Sequence, residues 1–139
     1  MNLSSILSLR QALIVLRIGT PLLFMAHAVT RIVVESIPQF ASFLGDLGFP
    51  EPTLVVWAIT LTELIAGCLL MFGRCIRTAC AALVLVAAGG IALIHARHGW
   101  FVGEHGTGGS EYSVCLIMCL LVLAAADVHQ VAALPPSLR

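Results

Sequence analysis

Charge is scarce in this sequence, and lysine is absent from it. Only 10% of the 139 residues are charged, all seven basic residues are arginines, and seven acidic residues balance them. Because a water-soluble domain carries about 25% charged residues, this composition argues against a soluble globule. The zero formal net charge also leaves no basic surface that would indicate a nucleic acid partner. A hydrophobic content of 60% excludes a disordered chain.

The residue spacings that typically bind metals or redox cofactors are also absent. Five histidines and five cysteines occur, but neither an HExxH nor a CxxC motif does, so we predict no metal site. The odd number of cysteines, most of them in apolar segments, argues against a disulfide framework. No cofactor fingerprint is present, so we expect no covalently bound cofactor. The sequence leaves open whether the chain is an enzyme.

Long apolar runs are what this sequence does contain. The charged residues divide it into four such runs, at about residues 11–34, 53–73, 76–96 and 111–132. A membrane-spanning helix needs roughly 20 apolar residues, and barrel strands would instead alternate apolar and polar residues. We therefore predict an all-α membrane protein, with residues 1–139 as a single domain. Its four transmembrane helices would form an antiparallel bundle in the lipid bilayer.

The first loop on the outer side has its own helical pattern. Ser36 followed by Gln39 fits a capping box. Apolar residues then recur at helical spacing at Ile37, Phe40, Phe43, Leu44 and Leu47. The pattern predicts a short amphipathic helix lying in the outer membrane interface.

The arginines predict the orientation of the chain. Arg10, Arg139 and the short turn that contains Arg74 and Arg77 would share one side of a four-helix bundle. The positive-inside rule makes this side cytoplasmic. We therefore expect both termini in the cytoplasm.

Glu63 lies near the middle of the second apolar run. A charged side chain at that depth costs about 2.5–3.5 kcal/mol on insertion scales, so it must be paired, protonated or functional. Arg17 in the first run is one candidate partner, and an Arg17–Glu63 ion pair would fix the register of two helices. Alternatively, Glu63 carries protons or binds a ligand, and both interpretations remain open.

A second polar group gathers towards the outer side and contains His27, Arg31, His95, His98 and Glu111. In a bundle, His27, His95 and Glu111 would lie at similar depth. Together with Glu63 they would line a polar pocket open to the outside. Because histidine titrates near neutral pH, such a pocket could move protons or bind a polar head group. We expect His98 and His105 to be solvated.

Several segments carry a resemblance to a known family. They are Leu16-Arg17-Ile18-Gly19 with His27 and Arg31, Gly48-Phe49-Pro50, Glu63-Leu64-Ile65-Ala66-Gly67, Leu69-Leu70-Met71-Phe72-Gly73-Arg74, His95 with His98-Gly99-Trp100-Phe101, and Gly108-Gly109-Ser110-Glu111-Tyr112. In this order, over about residues 14–125, they resemble the DoxX family of small four-helix bacterial membrane proteins. Ala28 replaces the family's usual glycine, and the glycine-rich tail is reduced to residues 126–129.

The resemblance implies a redox setting. The family takes its name from a subunit of a thiosulfate:quinone oxidoreductase, and other relatives are linked to thiol homeostasis or oxidative stress. Five residues match the family's polar positions and are our candidate ligand-binding or proton-relay residues: Arg17, His27, Glu63, His95 and Glu111.

We therefore predict the membrane subunit or partner of a quinone- or thiol-linked oxidoreductase, with quinone as a non-covalent ligand. The alternative is a non-catalytic scaffold or a small-solute transport component. The small residues of the third run also allow a homo-oligomer.

Overall fold

The computed structural model describes residues 8–102 and 108–132, with side chains up to residue 127. The described part of the chain is all-helical and contains no strand. Its five α-helices are α1 (Leu9–Val33), α2 (Ile37–Asp46), α3 (Pro52–Met71), α4 (Ile76–Leu93) and α5 (Glu111–Ala132). A single 3-10 turn, His95–His98, follows α4. His105 and Arg139, on which two predictions depend, lie outside the described residues.

Three of the helices are long and apolar enough to span a membrane. They are α1, α3 and α4, with 25, 20 and 18 residues. Their bounds agree with the first three predicted runs to within three residues, because each helix ends where charged, proline or glycine residues interrupt the apolar sequence. The fourth predicted run is also helical, since α5 begins at Glu111 and extends to the last described residue, Ala132.

The short helix predicted in the first loop is present as α2, but its predicted capping box is not. Ser36 is the N-cap residue of α2 and makes no side-chain capping bond. Its hydroxyl instead donates to the carbonyl oxygen of Arg31 at 3.4 Å. The reason is the tight turn after α1, which brings Ser36 back over the end of that helix. A capping box does occur at the start of α1, between Ser8 and Gln11.

The long helices close into a ring in the order α1, α3, α4, α5. The α1–α3, α3–α4 and α4–α5 interfaces are extensive, and a smaller α1–α5 contact completes the ring. Each helix contributes to one core, as illustrated by Phe24, Leu70, Leu83 and Leu120, all at most 4% exposed. Small residues on α4, such as Ala79 and Ala87, let its neighbours approach closely.

The two ends of the ring differ. At one end, α2 packs on the start of α3 through Ile37, Ala41, Leu44 and Val56. We call this the α2 end. At the other end, the four-residue turn 72–75 joins α3 to α4, beside the first turns of α1. We call this the hairpin end. The two ends hold the two groups of polar residues described next.

Candidate functional site

Glu63 is buried in the middle of α3 and forms a salt bridge with Arg31. The Arg31 Nη1 atom lies 2.9 Å from Glu63 Oε2. The two side chains are only 14% and 5% exposed. The predicted Arg17–Glu63 ion pair is therefore wrong. Arg31, two residues before the end of α1, pairs with Glu63 instead. Its long side chain reaches inward along the helix to the carboxylate.

Thr60 makes the second polar contact of the Arg31 guanidinium. Arg31 Nη1 also donates to Thr60 Oγ1 at 2.7 Å. The Thr60 hydroxyl in turn donates to the Val56 carbonyl oxygen at 2.8 Å, so both its donor and an acceptor site are used. Thr60 and Glu63 are three positions apart on α3, which places both side chains on one face.

Phe40 covers the same guanidinium from α2. The Arg31 Cζ atom lies 5.4 Å from the centre of the Phe40 ring, a cation–π distance. The backbone amide of Ser36 also donates to the Arg31 carbonyl oxygen at 3.1 Å. Arg31 thus links α1, α2 and α3. These added contacts matter because burying an ion pair carries a desolvation cost that the pair alone rarely offsets. We call Arg31, Glu63, Thr60 and Phe40 the Arg31 cluster.

Arg17 lies at the hairpin end, far from Glu63. Its Nη1 atom is 3.0 Å from the point where a Cβ atom on Gly73 would lie. Gly73 lies ten residues after Glu63, just beyond the end of α3. At 1.5 Å per helical residue, the two residues are about 15 Å apart along the helix axis. The Nε atom of Arg17 is buried and has no hydrogen-bond partner among the described residues.

His27 lies one helical turn before Arg31 and faces the seam between α1 and α5. Its ring centre is 6.5 Å from that of Tyr112, with the planes inclined by 51°. Both side chains are exposed, Tyr112 by 39%. An imidazole and a phenol therefore lie side by side on the outer surface of the helical ring.

His95 lies near enough to His27 for their charges to interact. It begins the 3-10 turn after α4, and its ring approaches Gly90 and Gly108. Partial burial lowers the pKa of His95, and the neighbouring charges of His98 and His27 lower it further. The imidazole of His95 is therefore harder to protonate than that of a solvated histidine. The structure thus brings His27 near both His95 and the Arg31 cluster.

Glu111 has a structural contact at the start of α5. Its Oε1 atom accepts a hydrogen bond from the Val102 amide at 2.9 Å, and its own amide donates to the Trp100 carbonyl oxygen at 3.0 Å. Gly109 lies so close to the Trp100–Phe101 backbone that a Cβ atom would overlap it. These contacts tie the segment after the 3-10 turn to α5. The Glu111 carboxylate is thereby directed to the loop.

Two residues of the Arg31 cluster were missed in the sequence. Thr60 could have been found from its i,i+3 spacing to Glu63. Phe40 gives no such signal, because its position over Arg31 depends on how α2 folds back across the ring. Within the described residues, no three histidine, cysteine, aspartate or glutamate side chains are grouped closely enough to hold a metal ion.

Comparisons with known proteins give one match. No curated protein and no solved structure matches the chain. A family model described as DoxX matches residues 12–96, a region that runs from α1 through α4 into the 3-10 turn. It includes the whole Arg31 cluster together with Arg17, His27 and His95. Since the match covers more than half of the chain, this membrane protein belongs to the DoxX family.

Proposed function

We propose that this protein is an inner-membrane subunit or partner of a quinone- or thiol-linked oxidoreductase. It binds the head group of a quinone beside His27 and Tyr112. The electrons of the reaction are supplied by a partner protein. This chain holds the quinone and exchanges its protons with the outer aqueous phase.

In this proposal α5 is the fourth membrane span of an antiparallel bundle. Its 22 residues give a length of about 33 Å, which is enough to cross the hydrocarbon core. Large apolar side chains on its outer face, Met118, Leu121 and Val122, are more than half exposed. A lipid environment would cover them, as it would the exposed apolar side chains of α1, α3 and α4.

The hairpin end faces the cytoplasm in this proposal. Arg10 and Arg17 lie near this end on α1, and Arg74 and Arg77 lie in or just after the turn between α3 and α4. This concentration of arginine supports a cytoplasmic location by the positive-inside rule. The α2 end, with His27, His95 and the Arg31 cluster, then faces outward.

The exposed pair His27–Tyr112 is the observation that carries quinone binding. His27 is six residues from the end of α1, about 9 Å along the helix axis, and is therefore within reach of a ligand dissolved in the bilayer. A quinone presents carbonyl acceptors, and a quinol presents hydroxyl donors. Imidazole and phenol groups can donate to the first and accept from the second. Polar side chains at membrane depth usually mark such sites.

The Arg31 cluster would act as the support of this site. It links α1 to α3 one helical turn from His27, so it fixes the position of His27 on the ring. In this proposal His95 exchanges protons with His27 and with water at the α2 end. Glu63 is 4% exposed, which favours a positioning role for its carboxylate over direct contact with the ligand.

The same closed salt bridge favours the second candidate, a non-catalytic membrane scaffold for a soluble partner. A paired and buried Glu63 needs no ligand. In a scaffold His27 and Tyr112 would be interfacial side chains without a small-molecule partner. The two candidates therefore differ in whether the His27–Tyr112 pair binds a quinone.

The test is direct binding of a short-chain benzoquinone analogue to the purified full chain, followed by quenching of tryptophan fluorescence. We expect saturable binding. His27→Gln should weaken it by about tenfold and Tyr112→Phe by about threefold, in line with the loss of one hydrogen bond each. His98→Gln, which changes an exposed histidine outside the pair, should leave it unchanged. Absence of saturable binding, or equal binding by His27→Gln, would reject the quinone site and favour the scaffold.

A further inference from the structure

A cavity lies at the hairpin end, remote from the His27–Tyr112 pair. Its volume is about 170 Å³, and α1, α4 and α5 line it. Arg10 and Arg17 of α1 and Asp127 of α5 supply its charged groups. Its apolar walls include Leu13, Ile14 and Leu123. The cavity thus combines two cations with an apolar wall at one end of the helical ring.

Arg17 brings an unneutralised guanidinium to the edge of this cavity. Its Nε atom is covered by the protein and has no hydrogen-bond partner among the described residues. Gly73 packs against the same guanidinium and has no side chain that could accept a hydrogen bond. No described carboxylate forms a salt bridge with Arg17 either. A guanidinium in such surroundings favours an anionic partner.

The charges of the cavity select an anion. Arg10 and Arg17 contribute two positive charges and Asp127 one negative charge. Asp127 does not form a salt bridge with either arginine, since Arg31–Glu63 is the only such pair among the described residues. The lining therefore keeps one net positive charge. A singly charged phosphate diester would balance it, and its oxygens match the donor fork of Arg17.

The apolar wall indicates that this phosphate belongs to a lipid. Ile14 and Ile18 are both exposed and lie one helical turn apart on α1. They continue the wall of the cavity along the outer surface towards the membrane interior. An acyl chain could follow them while its head group lies between Arg10 and Arg17. Free phosphate would gain nothing from this apolar track.

We propose that the cavity between α1, α4 and α5 binds the phosphate group of an anionic phospholipid from the adjacent leaflet. Basic pockets between membrane helices bind anionic lipid head groups by this chemistry. The lipid bridges α1 and α5, whose direct contact is the smallest in the ring, and thereby stabilises the closed bundle. Lipid binding here is independent of quinone binding, although it requires α5 to be a membrane span as proposed above.

The test measures the melting temperature of the purified full chain in a mild detergent. Three additions are compared: short-chain phosphatidylglycerol, phosphatidylcholine of equal chain length, and inorganic phosphate. Binding to the folded state raises the Tm by mass action. We expect phosphatidylglycerol to raise it saturably by about 5 °C, and the other two to raise it by less than about 1 °C. Equal effects of the two lipids, or an equal effect of inorganic phosphate, would overturn the proposal.

Three variants locate the site. Arg17→Gln should abolish the specific Tm rise, whereas Arg77→Gln, which changes an exposed arginine at the same end outside the cavity, should retain it. Asp127→Asn removes the opposing charge and should tighten phosphatidylglycerol binding by about threefold. This gain cannot arise from a misfolded variant, so it keeps the test valid if Arg17→Gln fails to fold. Loss of the response in Arg77→Gln, or weaker binding by Asp127→Asn, would contradict the proposed site.

Discussion

Two arginines on the same helix lie in opposite surroundings. Arg31, near the end of α1, is held by Glu63, Thr60 and Phe40 from two other helices. Arg17, 14 positions earlier in the sequence, has a buried Nε atom without a partner and borders a cavity. The comparison shows that the depth of a charge in a membrane helix does not determine its role. Its role depends on which side chains the neighbouring helices and turns place around it.

The two ends of the ring explain the difference. At the α2 end an additional helix folds back across α1 and α3 and brings an aromatic ring to Arg31. At the hairpin end the four-residue turn 72–75 is the only connection between helices among the described residues, and its Gly73 presents no side chain to Arg17. One arginine is therefore paired with a carboxylate, a hydroxyl and an aromatic ring, and the other borders a cavity.

The largest expected effect comes from removing Arg31. The variant Arg31→Met leaves Glu63 buried without its cation, a change that typically costs about 3–5 kcal/mol of stability. Arg17→Met should cost less than about 1 kcal/mol in detergent without anionic lipid, since it removes a donor that has no protein partner. Chemical denaturation of the two purified variants, followed by circular dichroism, measures the contrast.

A companion variant separates the charge from the shape of Arg31. The double variant Arg31→Met/Glu63→Leu removes both charges and should regain much of the lost stability, because no unpaired carboxylate remains. Equal destabilisation by Arg31→Met and Arg17→Met would remove the distinction between the two ends of α1.

The helices of this fold can be predicted from the sequence, but the different surroundings of Arg17 and Arg31 cannot. The helices are predictable to within a few residues because desolvation alone selects apolar runs of the right length. The partner of Glu63 could not be predicted in the same way, because counting residues gives only the position of each Cα atom along the helix axis. It does not give the rotation of α1 about its axis or the direction in which a long arginine side chain extends.

Other site residues divide in the same way. His27 and Arg31 are four positions apart, and Thr60 and Glu63 three, so each pair shares a helix face on the basis of spacing alone. The contact of Glu111 with the Val102 amide depends on the path of the loop before α5, and no local pattern encodes it. Local geometry is therefore predictable, and contacts between elements are not.

Two glycines with positive φ angles test the hairpin end next. A Cβ atom at Gly48 (φ +86°) would have no other atom within 4 Å. A Cβ atom at Gly73 (φ +69°) would lie 3.0 Å from Arg17 Nη1. Changing either to alanine should cost about 1–2 kcal/mol, because an L-residue is strained in this region. Only Gly73→Ala should also displace Arg17 and reduce the Tm rise caused by phosphatidylglycerol. An unchanged lipid response in Gly73→Ala would separate Arg17 from the lipid site.

A smaller effect is expected where α2 covers Arg31. Phe40→Leu keeps an apolar side chain over the guanidinium but removes the aromatic face, which is worth about 0.5–2 kcal/mol. Phe43→Leu is the matched control, because Phe43 stacks on Phe40 but makes no cation–π contact with Arg31. Denaturation curves of both variants should show a greater loss for Phe40→Leu. The cation–π contact would carry no weight if the two losses were equal.

The smallest expected effect is a dependence on pH at the α2 end. Burial and neighbouring charges lower the pKa of His95 below its ordinary value of 6.5, so the unfolded chain binds a proton at this residue more readily than the folded chain does. The free energy of unfolding is therefore unaffected by His95 above about pH 6.5 and decreases as the pH falls towards the lowered pKa.

Between pH 7 and pH 5 the Tm of His95→Gln should then fall by about 1 °C less than that of the unmodified chain. No such change should follow from Arg17→Gln, since this substitution leaves His95 and its surroundings unaltered. A steeper pH dependence in His95→Gln would mean that His95 is stabilised as a cation, as Arg31 is, and would contradict this prediction.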